Sequence, residues 1–151
     1  MVDLQAKKVK QETEVIPGLV RQARRTLVTA SSHKFPFDLF PDTIRVEEDK
    51  VTIITRKFIW SSEVHGVDVK DIVNVFINTS PFYAQLVLVS KTFEENTIAI
   101  SNLWIKDAVY VRRIIEGLRT LTNNQVDTSV YSKDELMQKL EELSKTDQAV
   151  E

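Results

Sequence analysis

Ser62, His65 and Asp68 stand within seven residues of one another in SSEVHGVD, and these are the side-chain types of a nucleophilic triad. That chemistry needs the imidazole within hydrogen-bond reach of both partners. In an extended segment, residues an odd number apart point to opposite faces, so Ser62 and His65 diverge. No glycine-rich turn stands nearby to supply an oxyanion hole. His65-Gly66 reads instead as a bulge or turn, and His33 lies in a polar connector, solvated. Adjacent carboxylates occur at Glu47-Glu48, Glu94-Glu95 and Glu141-Glu142. All fall in expected turns or on an exposed helix face, whereas glycosidase-type chemistry needs carboxylates converging from separate elements. The three glycines, Gly18, Gly66 and Gly117, cannot form a phosphate cradle. No zinc-ligand set, EF-hand loop or dinucleotide fingerprint is present. The expectation is a protein with no catalytic residue, metal or cofactor.

The basic residues raise a different question. Lys7, Lys8, Lys10, Arg21, Arg24 and Arg25 precede residue 26, the last three within VRQARRTLV. They could neutralise phosphates, but no aromatic precedes Phe35, so no stacking platform accompanies them and nucleic acid is disfavoured. Against a membrane, a helix here would offer Ile, Leu, Val and Ala but no Trp or Phe, which gives weak adsorption at most. A protein partner is the better match, because the flanking segments alternate in sign. Residues 1–37 carry +4, 38–104 carry −4, 105–124 carry +2 and 125–151 carry −4, within a net charge of −2. Such a field is local, without one broad basic face. Lys7, Lys8, Arg21, Arg24 and Arg25 are therefore the candidate contacts to a partner or an anionic surface, beside the simpler reading that they face water.

The elements that would position these groups follow from periodicity. Ile16, Leu19, Val20, Ala23, Leu27 and Ala30 recur at helical spacing and form a stripe about 100° wide, with Pro17 in the first turn. A further helical piece is expected over Leu4 to Val15, with Asp3 as N-cap. FPFDLFPDT holds Phe35, Phe37, Leu39 and Phe40 between prolines, an extended connector whose aromatics close one end of a core. From Thr43 to Leu103 the period becomes two and β-branched residues dominate, giving six or seven antiparallel strands. The hairpin through Phe76, Ile77, Leu86, Val87 and Leu88 is apolar on both faces and should be the most enclosed. Trp104, Ala108, Val111, Ile115 and Leu118 then lie on one helix face, with an i,i+4 pair from Arg112 to Glu116. Gly117 costs that helix about 1 kcal/mol against alanine, a loss best explained by close approach to a sheet. Ser132 and Glu135 form a capping box for a second short helix, whose Leu136, Leu140 and Leu143 offer a seam for its own domain or a neighbour.

With 151 residues, 42% of them hydrophobic and 28% charged, the chain is sized for one domain with a core. It has no cysteine, hence no disulfide or thiolate site, which fits a reducing compartment. No apolar run approaches the roughly 20 residues of a membrane span, and MVDLQAKKVK does not read as a secretory signal. A cytoplasmic setting is expected.

The hairpin TIRVEEDKVTIITRK, the segment VDVKDIVNVFI with its partner YAQLVLVS, and the closing IKDAVYVRRIIEGL together resemble bacterial pleckstrin-homology-like domains. The resemblance implies two orthogonal sheets in a partly open antiparallel barrel, with a C-terminal helix plugging one end. It covers residues 43–122, leaving 1–42 as a helical arm with its aromatic connector and 123–151 as a linker with a short amphipathic helix. An α+β open-sheet sandwich is the alternative. Members that bind inositol lipids use basic residues around the first strand-to-strand turn. Here that turn reads EED, with Arg45, Lys50, Arg56 and Lys57 around it, and its carboxylates repel a phosphate. The expected function is a non-catalytic binding or scaffolding module working through protein contacts, self-association included. The alternative is peripheral binding of the basic arm to an anionic membrane or nucleic acid. No small-molecule substrate is indicated.

Overall fold

Two hydrophobic periods, two and then 3.6, build the two layers. The computed structural model describes residues 25–33, 39–58, 61–92 and 97–148. Among these, seven strands form two antiparallel sheets. The first holds β1 (Thr26–Ser31), β2 (Thr43–Glu47), β3 (Lys50–Phe58) and β4 (Ser61–Asp68) in sequence order. The second holds β5 (Ile72–Thr79), β6 (Tyr83–Ser90) and β7 (Thr97–Trp104), also in order. Helix α1 (Ile105–Asn123) follows directly, and α2 (Lys133–Gln148) closes the described chain.

Register explains which residues point inward. Ile44 pairs with Ile53 and Val46 with Val51; Val51 pairs in turn with Val67, and all five are buried. In the second sheet Leu86 and Leu88 on the central strand meet Ile100 and Ile98. Ala108, Val111, Ile114, Ile115, Leu118 and Leu121 of α1 complete one cluster with both sheets. Leu136 and Leu140 of α2 join the same cluster, fully buried.

Five expectations are corrected. The helical stripe through Leu27 and Ala30 gives way to a strand, since Thr26–Ser31 pairs with β2. Leu27 and Ala30 are both buried despite an odd spacing, because the register shifts between Thr26 and Val28, and such a bulge re-aims one extra residue. The sheet therefore begins upstream of Thr43, and the EED turn is its second connection, not its first. The lipid argument built on that turn accordingly lapses. His65-Gly66 is neither bulge nor turn; both residues sit in unbroken register opposite Ile53 and Thr52. A Cβ at Gly66 would lie 2.3 Å from Cε of Lys50, the far end of a flexible side chain that can swing aside. Trp104 ends β7 instead of lining the helix core, and it is 40% exposed. Gly117 does permit a close approach, but to α2: a Cβ would stand 2.9 Å from Cδ2 and 3.2 Å from the carbonyl oxygen of Leu140. The helical piece over Leu4 to Val15 lies outside the described residues.

The capping box and the i,i+4 pair are present as read. The Ser132 amide donates to Glu135 Oε2 at 2.9 Å and the Glu135 amide to Ser132 Oγ at 3.3 Å, while Arg112 Nε donates to Glu116 at 3.0 Å.

The sheets approach each other at two corners. At one, the Val69 amide donates to the Asp49 carbonyl at 2.8 Å and the Lys91 amide to the Asp71 carbonyl at 3.0 Å. At the other, β7 bulges: Ser101 and Asn102 together oppose Gln85, between the pairs Leu86–Ile100 and Ala84–Leu103. Asn102 adopts φ of 60°, a left-handed conformation that asparagine tolerates better than most residues. Its carbonyl accepts the His33 amide at 2.7 Å, tying the end of β1 to the second sheet. Replacing Asn102 by valine should destabilise the protein by about 2 kcal/mol, whereas glycine should be near neutral. Urea denaturation midpoints of the two variants check this.

Candidate functional site

The Ser62, His65 and Asp68 side chains do not converge. Ser62 pairs with Arg56 and His65 with Ile53, so alternation sends Ser62 to the outer face and His65 to the inner one. His65 Nε2 lies 3.0 Å from Glu63 Oε1, and Lys57 Nζ lies 2.6 Å from Glu63 Oε2. Hydrogen bonding to Lys57, with its charge and that of His65, holds the Glu63 carboxyl below its ordinary range. This is a surface ion cluster. Among the described residues no three His, Cys, Asp or Glu side chains converge for a metal ion, and no helix is long and apolar enough to cross a membrane.

Arg25 answers part of the question about the arginines. Its Nε donates to Oε1 of Glu48, a residue only 7% exposed. Its Nη1 donates to the Tyr131 carbonyl at 2.9 Å and its Nη2 to the Thr128 carbonyl at 3.4 Å. The second Glu48 oxygen accepts from Thr128 Oγ1 at 2.8 Å. One guanidinium thus joins the start of β1, the β2–β3 turn and the α1–α2 linker. The hydrogen bond to Glu48 raises the Arg25 pKa beyond its ordinary value. Arg25 is a latch inside the domain, while Lys7, Lys8, Arg21 and Arg24 lie outside the described residues.

Leu136 and Leu140 are likewise enclosed within the domain, packed on α1, and Leu143 is partly buried against the same core. Their seam faces inward. Of the two docking choices left open for this helix, the structure shows its own domain.

The feature that sequence reasoning missed is an aromatic corner at the β7–α1 junction. Trp104 pairs with Tyr83 across the sheet, their ring centroids 5.2 Å apart, and the His33 ring centroid stands 5.3 Å from that of Trp104. Phe82, in the turn entering β6, is 72% exposed. The backbone brings a second segment close: Ser32, beside His33, accepts the Asp42 amide on its Oγ at 2.8 Å and donates its own amide to the Asp42 carbonyl at 2.8 Å. Leu39, 75% exposed, and Phe40 lie just upstream of Asp42. The signal lies in NTSPFY, where an aromatic pair follows a proline turn.

No family model and no curated protein matches the sequence. Among solved structures, the chain is similar to a DUF1696 family protein with a pleckstrin-homology domain from Shewanella loihica PV-4, at 14% identity and a TM-score of 0.47, covering 64% of this chain and 82% of that one. It is also similar to the pleckstrin homology domain of USP37, at 14% identity and a TM-score of 0.42, covering 61% and 96%. The observed layout is that implied by the resemblance noted in the sequence: four antiparallel strands, then three, then a helix packed across β5, β6 and β1. The two sheets do not close into a continuous barrel, since no ladder joins β4 to β5 or β1 to β7 among the described residues. A fold of this kind hosts sites of many sorts and does not choose among them.

Proposed function

We propose that this chain is a non-catalytic binding module that engages a protein partner, a second copy included, through its aromatic corner. The observation that carries the reading is the exposure of Phe82 and Trp104 next to Tyr83 and His33. Large aromatics are drawn into cores by their apolar area, and aromatic residues are enriched at protein interfaces, where Trp and Tyr dominate binding energy. Trp104 is held in place by its ring neighbours, so little side-chain freedom remains to be lost on binding. The lack of cysteine suits a reducing, cytoplasmic setting. The alternative, an anionic surface held by the arm, retains Lys7, Lys8, Arg21 and Arg24 but not Arg25, which is engaged by Glu48.

Site-specific photocrosslinking in cells tests the proposal. A benzophenone side chain at position 82 should yield one discrete protein adduct, at twice the chain mass for a self-partner. That adduct should vanish in a Trp104→Ala background and be absent with the probe at position 52, on the outer face of the first sheet. Equal labelling from positions 82 and 52, or none from either, would overturn it. An adduct that disappears when Lys7, Lys8, Arg21 and Arg24 are neutralised, with Trp104 intact, would move the reading to the arm.

A further inference from the structure

The two sheets turn different outer faces to solvent. On the first, strand alternation directs Arg45, Lys50, Arg56 and Asp68 outward, opposite the buried set Ile44, Val46, Ile53 and Val67. On the second, the outward residues fall into rows running across β5, β6 and β7, and none is charged. One row is Phe76, Val87 and Ala99. The next, toward the aromatic corner, is Asn78, Gln85 and Ser101. These are linked by hydrogen bonds from Asn78 Nδ2 to Gln85 Oε1 at 3.2 Å and from Gln85 Nε2 to Ser101 Oγ at 3.1 Å. Asn74, Val89 and Thr97 lie on the other side of the apolar row, and Tyr83 with Trp104 closes the face at the corner. Phe76 is 38% exposed and Ala99 is open to solvent, while α1 packs on the opposite face, where Leu86, Leu88 and Ile100 are buried. In a chain 28% of whose residues are charged, an exposed sheet face without a charge marks an interaction surface.

We infer that this face packs against the same face of a second copy of the chain, sheet on sheet, about a twofold axis near Val87. The pairing rests on the proposed role of the aromatic corner and names its partner as the chain itself. Three properties favour a copy. Without charges the face cannot orient a foreign partner by charge complementarity, and it meets its own copy with no repulsion and no ion to desolvate. Its polar row is hydrogen-bonded within the sheet, so covering that row strands few donors. Its size also fits. Three strands of eight residues give a flat footprint of roughly 14 Å by 27 Å, about 400 Å², which side-chain relief enlarges. Phe82, 72% exposed, adds about 150 Å². Each copy thus reaches the roughly 600 Å² per partner that small specific interfaces bury. A twofold axis sets the apolar row of one copy on that of the other, and sheets packed face to face lie about 10 Å apart, a gap such side chains fill.

Sedimentation velocity on the full chain, from low to high micromolar concentration, should show a monomer–dimer equilibrium. Ala99→Glu, which sets a carboxylate in the apolar row, should weaken dimerisation roughly a hundredfold. Asn78→Lys, at the edge of the face, should weaken it about tenfold. Thr29→Glu, on the outer face of the first sheet opposite Arg45, should leave it unchanged. Circular dichroism melts at low concentration confirm that the variants are folded. A wild type that stays monomeric or assembles beyond a dimer overturns the pairing. So does a dimer that Ala99→Glu and Asn78→Lys leave intact, or one that Thr29→Glu weakens equally. The corner is judged separately. A monomeric chain with a position-82 adduct to a different protein removes the dimer and leaves the corner's role standing. A dimer lost in Ala99→Glu, with no adduct from position 82, keeps the sheet face and removes that role.

Discussion

Replacing Arg25 by alanine should destabilise the protein by about 3 kcal/mol and lower its Tm by about 6–12 °C. The reason lies in what is left behind. Glu48 is 7% exposed, so the variant retains a buried carboxylate with Thr128 Oγ1 as its remaining side-chain partner, and the carbonyls of Thr128 and Tyr131 lose their donor. Breaking one side of a buried pair is costly in this way, whereas replacing both sides by apolar groups of similar volume is often near neutral. The double variant Arg25→Met with Glu48→Met should therefore be more stable than Arg25→Ala alone. Guanidinium denaturation of the three proteins reads the difference. A loss below about 0.5 kcal/mol for Arg25→Ala would mean that the pair behaves as a surface bridge. A practical point follows for any test of the basic arm: Arg25 must be left intact, or unfolding will be mistaken for lost binding.

The second large effect is expected at the α1–α2 contact. Leu140 is fully buried, so Leu140→Ala should cost about 3 kcal/mol, transfer and cavity terms together. Sedimentation velocity should show no change of oligomeric state, because the side chain faces its own domain. A change of mass without a change of stability would restore the seam to the surface. Gly117→Ala is the complementary probe. Alanine gains about 1 kcal/mol of helix propensity, but its Cβ would stand 2.9 Å from Leu140 Cδ2, 3.2 Å from the Leu140 carbonyl and 3.3 Å from its Cα. The side chain can turn aside; the backbone cannot, so overpacking should win by about 1 kcal/mol. In the Leu140→Ala background the Cδ2 clash is gone, and the same Gly117→Ala change should be less harmful.

The strands from Thr43 onward, α1 and the capped α2 were legible because each buries one face, and burial on one face writes a period into the chain. β1 was not. TLVTAS contains the β-branched Thr26, Val28 and Thr29, a strand signal, but its bulge sets Leu27 and Ala30 three apart, the helical spacing. A local distortion thus imitated the wrong period. Gly117 showed that something approaches closely, though not what, since the partner lies in another element. The aromatic corner was invisible for a related reason: a ring at a strand end reads as core whether or not another element covers it. Arg25 was visible as a charge but not as a latch, because Glu48 and Thr128 lie 23 and 103 residues away.

That long reach bears on how the molecule is made. Arg25 leaves the ribosome before either of its partner segments, and the Tyr131 carbonyl that it must meet comes 106 residues later. Hairpins formed by neighbouring strands are local and can close during synthesis. The guanidinium, however, has no complete set of acceptors until the linker before α2 has emerged. A nascent chain halted ahead of Tyr131 would hold the strands of both sheets with the start of β1 unfastened, so the latch closes only once the linker has joined the sheets.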